Sequence, residues 1–266
     1  IENCYTKGEI EGNSHVGGLL GQFSSGQMRH CYSTAEVKGI IHSSQESRFI
    51  GGLIGANGTY TLTSSCFSAG NVSGNGYVGG ITGMGYLSDM VNCYSTGNII
   101  GQNGVGGLVG FMSYGNLKKC YFNGNISGQT LTGALVGLNK GTNSSGVETI
   151  LENCFWNRDL CGSLEVCSYE DNSSAGTGTI DNCNGITSIQ MQVQLTFTES
   201  DWVFVTKSSS SEDTFWVMKN CPRLKWEKYY MDMKELSLLG FNWQREKGTF
   251  TESDWDMDGD VDIDDL

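Results

Sequence analysis

The residues Asp254-Trp255-Asp256-Met257-Asp258-Gly259-Asp260-Val261-Asp262-Ile263-Asp264-Asp265-Leu266 concentrate hard oxygen donors in one short stretch. Calcium takes roughly six to eight oxygens, and a twelve-residue loop supplies them at alternate positions, with glycine at the sixth for the sharp turn. Counted from Asp254, the ligands are Asp254, Asp256, Asp258, the main-chain carbonyl of Asp260, Asp262 and Asp265, with Gly259 at the turn and Val261 at the apolar eighth position. The expected cofactor is therefore calcium, and the competing reading is a solvated acidic tail.

Ten cysteines make a second chemical inventory, and their spacing splits them. Cys4, Cys31, Cys66, Cys93, Cys120 and Cys154 follow one another at 27, 35, 27, 27 and 34 residues. Such a period predicts one inward column of small buried hydrophobes, with pairing between neighbours left open because adjacent coils lie within disulfide range. Cys161, Cys167, Cys183 and Cys221 fall outside that period. The preferred pairing is Cys161 with Cys167 and Cys183 with Cys221, among the three connectivities that four cysteines allow. A zinc site competes weakly, since no Cys-x-x-Cys is present.

Catalytic chemistry finds little material. His15, His30 and His42 lack the His-Glu-x-x-His spacing that a zinc peptidase needs. Between residues 50 and 145 the only acid is Asp89, whereas glycosidases use two convergent carboxyl groups. The expectation is a protein that is not an enzyme. A net charge of -13 repels phosphate backbones, so nucleic-acid binding is not expected. No run of about 18 apolar residues is present, so neither is membrane insertion.

What must position these residues is a repeat. Cys4-Tyr5-Thr6-Lys7-Gly8 recurs from Cys31, Cys66, Cys93 and Cys120, with a decayed copy at Cys154-Phe155-Trp156. Each of the first five is followed by a glycine-rich block, as in Val16-Gly17-Gly18-Leu19-Leu20-Gly21 and Val105 to Gly110. Within the first block, period-two alternation points to strand. Cys93, Ser95, Gly97 and Ile99 share the inward face, and Tyr94, Thr96 and Asn98 the outward one. One coil per repeat stacks like positions about 4.8 Å apart. An exposed aromatic ladder of Tyr5, Tyr32, Phe67, Tyr94 and Tyr121 follows, either a sugar-stacking column or a set of rings that stack on one another. With 38 glycines and one proline, the fold class is all-β, a right-handed parallel β-helix with a C-terminal cap and a short helical, calcium-loop tail. The predicted domains are 1–155 (β-helix), 156–226 (cap) and 227–266 (helix and loop).

The Val-Gly-Gly-Leu-Val-Gly block after Asn-Cys-Tyr-Ser-Thr-Gly resembles the GLUG repeat of bacterial secreted and surface proteins. That resemblance implies an extracellular, bacterial β-helical stalk or adhesive array. Some proteins with such repeats cleave immunoglobulin A with zinc, which the histidine inventory above does not support. The Asp254–Asp265 loop resembles that of dockerin modules, which carry two loops where one is visible here. Self-association or contact with other cell-surface components is the expected partnership, because an uncapped first coil would present unpaired backbone groups. Polysaccharide is the alternative partner. Thr196-Phe197-Thr198-Glu199-Ser200-Asp201-Trp202 recurs residue for residue as Thr249 to Trp255. The expected explanation is a capped turn anchored by tryptophan.

Overall fold

The computed structural model describes residues 1–40, 47–142, 145–169, 178–204, 216–219 and 221–226. They belong to two units, Ile1–Trp202 and Val203–Leu266.

In the first unit each of the first five coils has five short sides. The coil that starts after Cys66 uses Phe67–Ser68, Val72–Ser73, Gly76–Gly79, Thr82–Tyr86 and Ser88–Val91. Each side pairs in parallel with its counterparts above and below, so that Tyr5, Tyr32, Phe67, Tyr94, Tyr121 and Phe155 stand in one register. The result is a parallel β-solenoid of about six turns, whose longest sheet has seven strands. Among the described residues no helix is long and apolar enough to cross a membrane.

The corners explain how two-residue and four-residue sides can close a coil. The residue before each column cysteine is left-handed: Asn3, His30, Ser65, Asn92, Lys119, Asn153 and Asn182 have φ between 47 and 54°. A second left-handed row is His15, Phe49, Tyr77, Gly104 and Leu131, and a third is Tyr60, Leu87 and Tyr114. Asparagine tolerates this conformation better than most residues, and four of the seven positions in the first row use it. The glycine-rich block has a different cause. A Cβ on Gly79 would lie 2.6 Å from the Gly110 nitrogen and overlap the Thr82 carbonyl, because two sides of the solenoid meet there backbone to backbone.

Inside, the core is built of columns of like residues. Met28, Thr63, Met90, Leu117 and Leu151 form one, Val37, Val72 and Ile99 another, and all are buried. A coil cannot cover such a face alone, but its neighbours can. Extra residues fall at corners: Gly39 and Arg48 keep register with Gly12 and Ser14 although residues 40–47 intervene.

The coils continue past residue 155, where the sequence reading placed the end of the β-helix. After Phe155–Asn157, the helix Arg158–Cys161 stands where earlier coils have their second side, its amide at Asp159 capped by the Asn157 side chain. Cys167–Ser168 and Thr179–Asp181 then pair with the fifth coil, and Asn184–Ile186 lies on Phe155–Asn157. A 3-10 turn, Gln190–Gln192, and a helix, Gln194–Thr198, follow. In the second unit, Trp216–Met218 pairs antiparallel with Pro222–Leu224, and Trp216 and Leu224 are fully buried. The predicted helix-and-loop domain, 227–266, lies outside the described residues.

Candidate functional site

Three side-chain columns run along the coils that carry the sequence motifs. The first is the thiol column. Cys31, Cys66, Cys93, Cys120 and Cys154 are fully buried, while Cys4 in the first coil is exposed. Each thiol donates to the carbonyl two residues earlier in its own coil, at 3.1 Å for Cys31 and Cys120 and 3.3 Å for Cys93 and Cys154. Burial pushes the Cys66 and Cys120 thiols well above the usual thiol range. These five are small buried hydrophobes with a weak donor.

Cys183 corrects the sequence reading. It was set outside the period, yet the pairing of Asn184 with Phe155 makes it the next member of the column, and its thiol donates to the Asp181 carbonyl at 3.4 Å. The signal was Asn182-Cys183, which repeats Asn92-Cys93 and Asn153-Cys154, but Asn184 stands where the other copies carry a ring. The Cys161, Cys167 and Cys183 thiols are free in this structure, so the expected pairs of Cys161 with Cys167 and Cys183 with Cys221 are not formed. Cys161 is buried, with its thiol pushed up to about 12 by burial, and Cys167 is buried beside the Asn139 amide. Cys221 is buried within the second unit.

The second column is aromatic, and it is not the exposed ladder the alternation suggested. Tyr5, Tyr32, Phe67, Tyr94 and Tyr121 stack face to face with centroids 4.8 to 5.2 Å apart and planes within 8°. Tyr5 is 59% exposed, but Phe67, Tyr94 and Tyr121 are buried. Period-two alternation tells which way a side chain leaves the sheet; it does not show that the coils above and below then cover both faces of each ring. Past Tyr121 the column is closed from the side. Trp202 lies 6.2 Å from Tyr121 and 5.8 Å from Phe155, and Phe197 meets Phe155 edge-on at 5.2 Å. The Trp202 indole donates to the Asn153 carbonyl at 3.0 Å. The expected tryptophan anchor is thus present in the first copy of the heptad.

The third column is amide. The Asn71 side-chain oxygen accepts the Asn98 main-chain N–H at 3.0 Å, and the Asn98 oxygen accepts the Asn125 side-chain amide at 2.9 Å. Below them, Lys38 bridges Glu9 and Glu36, and the Lys38 ammonium holds the Glu9 carboxyl below its ordinary range. Asp89 is likewise occupied: one carboxylate oxygen accepts both the main-chain and side-chain N–H of Asn116, at 3.0 and 2.6 Å.

A half-exposed stripe escaped the sequence reading because its rings flank the glycine-rich block, outside the cysteine motif. Phe49 stacks on Tyr77 at 5.4 Å, Phe111 follows at 5.1 Å, exposed His15 precedes them, and the Arg48 guanidinium lies 5.4 Å over Tyr77. The proposed calcium ligands Asp254, Asp256, Asp258, Asp260, Asp262 and Asp265 lie outside the described residues, as does His42. Among the described residues no group of three or more His, Cys, Asp or Glu is placed to hold a metal ion.

No family model matches the chain, and no curated protein matches it. Among solved structures it is similar to the crystal structure, at 1.30 Å, of a candidate immunoglobulin A1 protease from Bacteroides ovatus, with 17% identity, a TM-score of 0.51, and 85% of this chain and 69% of that one covered. At that identity the likeness concerns the fold, and what it establishes for this chain is a parallel β-solenoid.

Proposed function

We propose that this chain is an extracellular structural β-helix of the GLUG type from a bacterial secreted or surface protein, serving as a stalk, spacer or adhesive array. The observation that carries the reading is the commitment of side chains to one another. The stacked rings and the asparagines of successive coils are each other's partners, the buried thiols donate to main-chain carbonyls, and the Asp89 carboxylate is held by Asn116. Residues so engaged stiffen a rod and leave little for turnover. The same reading accommodates the protease name of the Bacteroides ovatus protein: in a protein of that kind, coils like these would present or space a catalytic part. In this account, calcium at Asp254 to Asp265 rigidifies the C-terminal end, and copies associate end to end or with other surface components.

Electron microscopy of the native secreted material, with calcium and then with a chelator, tests this. Rods or filaments with an axial repeat that matches one chain, losing order on chelation, support it. Globular particles that turn over a polysaccharide or a peptide bond would overturn it. The second reading, a polysaccharide-binding flank, is favoured by the Phe49, Tyr77 and Phe111 stripe with Arg48 above it. Glycan binding that is lost in Phe49→Ala and Tyr77→Ala would establish it.

A further inference from the structure

The thiol column keeps its residue where the columns around it do not. One inward column reads Met28, Thr63, Met90, Leu117 and Leu151, and the ring column turns to Asn184 at its last level. Cysteine recurs at all seven levels of the longest sheet, from Cys4 to Cys183. Packing alone does not demand this, because other small apolar side chains fill such a place; what sulfur adds is its chemistry, metal binding included.

The sulfurs are also aligned. The Tyr94 N–H donates to the Cys66 carbonyl at 3.2 Å and the Tyr121 N–H to the Cys93 carbonyl at 3.1 Å, so successive column cysteines are immediate neighbours between coils. Every thiol of the column points the same way, toward the carbonyl two residues earlier, at 3.1 to 3.4 Å. Like side chains in one orientation repeat at the strand spacing, about 4.8 Å.

That spacing decides which bond the column can form. A disulfide holds its sulfurs about 2.05 Å apart, so both side chains would have to leave their present orientation. An ion with one sulfur on each side, at about 2.3 Å from each, spans about 4.6 Å, and the column offers that gap as it stands. Such an ion has two ligands in line. Zinc takes four, and among the described residues no three such ligands converge. Cu(I) is a soft ion that thiolates select, and it accepts two of them in line.

Charge balance favours a monovalent ion as well. Each Cu(I) that enters displaces one thiol proton, so the buried column gains no net charge. The Cys93 main-chain N–H donates to Cys120 Sγ at 3.4 Å, a contact that favours the thiolate there. We propose that Cys31, Cys66, Cys93, Cys120 and Cys154 form a linear Cu(I) site, in which these five buried sulfurs enclose four gaps and each gap takes one ion. The dry surroundings keep water and oxygen from the metal. Burial closes the sides of the column, so ions enter while the coils assemble or past Cys4, its exposed end.

The test is to refold the reduced full chain from urea in oxygen-free Cu(I), held as its acetonitrile complex, and then to pass it over a Cu(I) chelator. One ion for each of the four gaps is expected to stay bound, with the near-ultraviolet dichroism of the stacked rings unchanged. X-ray absorption should show two sulfur neighbours per copper. Cys93→Ala removes a sulfur that two gaps share and should lose two ions, whereas Cys31→Ala opens one gap of the buried run and should lose one. Cys161→Ala alters a buried thiol outside the column and should retain the full count. Where a variant fails to fold, X-ray absorption of the unaltered chain decides. No retained copper, three sulfurs around each ion, loss of the ring dichroism on loading, or a count that Cys93→Ala leaves unchanged would overturn the proposal.

Discussion

Tyr94→Ala should cost far more stability than Tyr5→Ala, although both tyrosines occupy the same position of the repeat. Tyr94 has Phe67 at 5.0 Å on one face and Tyr121 at 4.9 Å on the other, and none of its surface is exposed. Truncating a fully buried ring to alanine costs about 3–5 kcal/mol once the cavity is included. Tyr5 keeps one partner, Tyr32 at 5.2 Å, and is 59% exposed. Its loss should cost about 1 kcal/mol, the worth of a single aromatic pair. The assay is urea unfolding of the full chain followed by near-ultraviolet circular dichroism, with midpoints compared at a common slope. A solenoid can lose coils locally, so hydrogen exchange of the amides around Cys93 should weaken in parallel. If the two variants lose the same stability, or Tyr94→Ala loses less than about 1 kcal/mol, the rings are not serving as each other's core.

Three further outcomes follow from the columns. Gly80→Ala places a Cβ into the Gly107 carbonyl oxygen and Ser95 Oγ; since the first of these is backbone, a loss of about 3 kcal/mol or more is expected in the same urea assay. Ser95→Ala should be neutral or stabilising by up to about 1 kcal/mol, because Ser95 Oγ is buried with no hydrogen-bond partner, and thermal unfolding will read the sign. Alkylation at pH 7.5 with peptide mapping should label Cys4 rapidly and leave Cys66 and Cys120 unmodified until denaturant is added. Burial raises the pKa of the latter two, so they stay protonated and unreactive as pH rises through the ordinary thiol range.

How much of this was legible depended on whether a feature repeats in sequence or arises only between coils. The thiol, ring and asparagine columns could be read from Cys93-Tyr94-Ser95-Thr96-Gly97-Asn98 and its copies, because a fixed period forces like residues to stack. The burial of Phe67, Tyr94 and Tyr121 could not, since it depends on coils that are distant in sequence. Cys183 was missed because its coil lost the other marks of the repeat: Asn184 replaces the ring, and the helix Arg158–Cys161 interrupts the preceding turn. The left-handed corners were hidden by variety, as Lys119, Ser65 and His30 adopt the conformation that Asn92 and Asn153 advertise. Trp202 meets rings of two coils, Tyr121 and Phe155, that are distant from it in sequence, so the duplicated heptad was visible while the anchor of its first copy was not.

Excision of one coil tests the stacked-coil account most directly. Deleting Cys93 to Lys119 removes 27 residues and joins Asn92 to Cys120, which restores the left-handed asparagine before a column cysteine and brings Phe67 against Tyr121. The account predicts a folded chain with unchanged β-sheet dichroism, and a rod shortened by about 4.8 Å in small-angle scattering. Deleting Cys93 to Val105 instead leaves half a coil and should abolish the fold. If the 27-residue deletion unfolds the chain as completely as the half-coil deletion does, the residues are not stacked in register and the account fails.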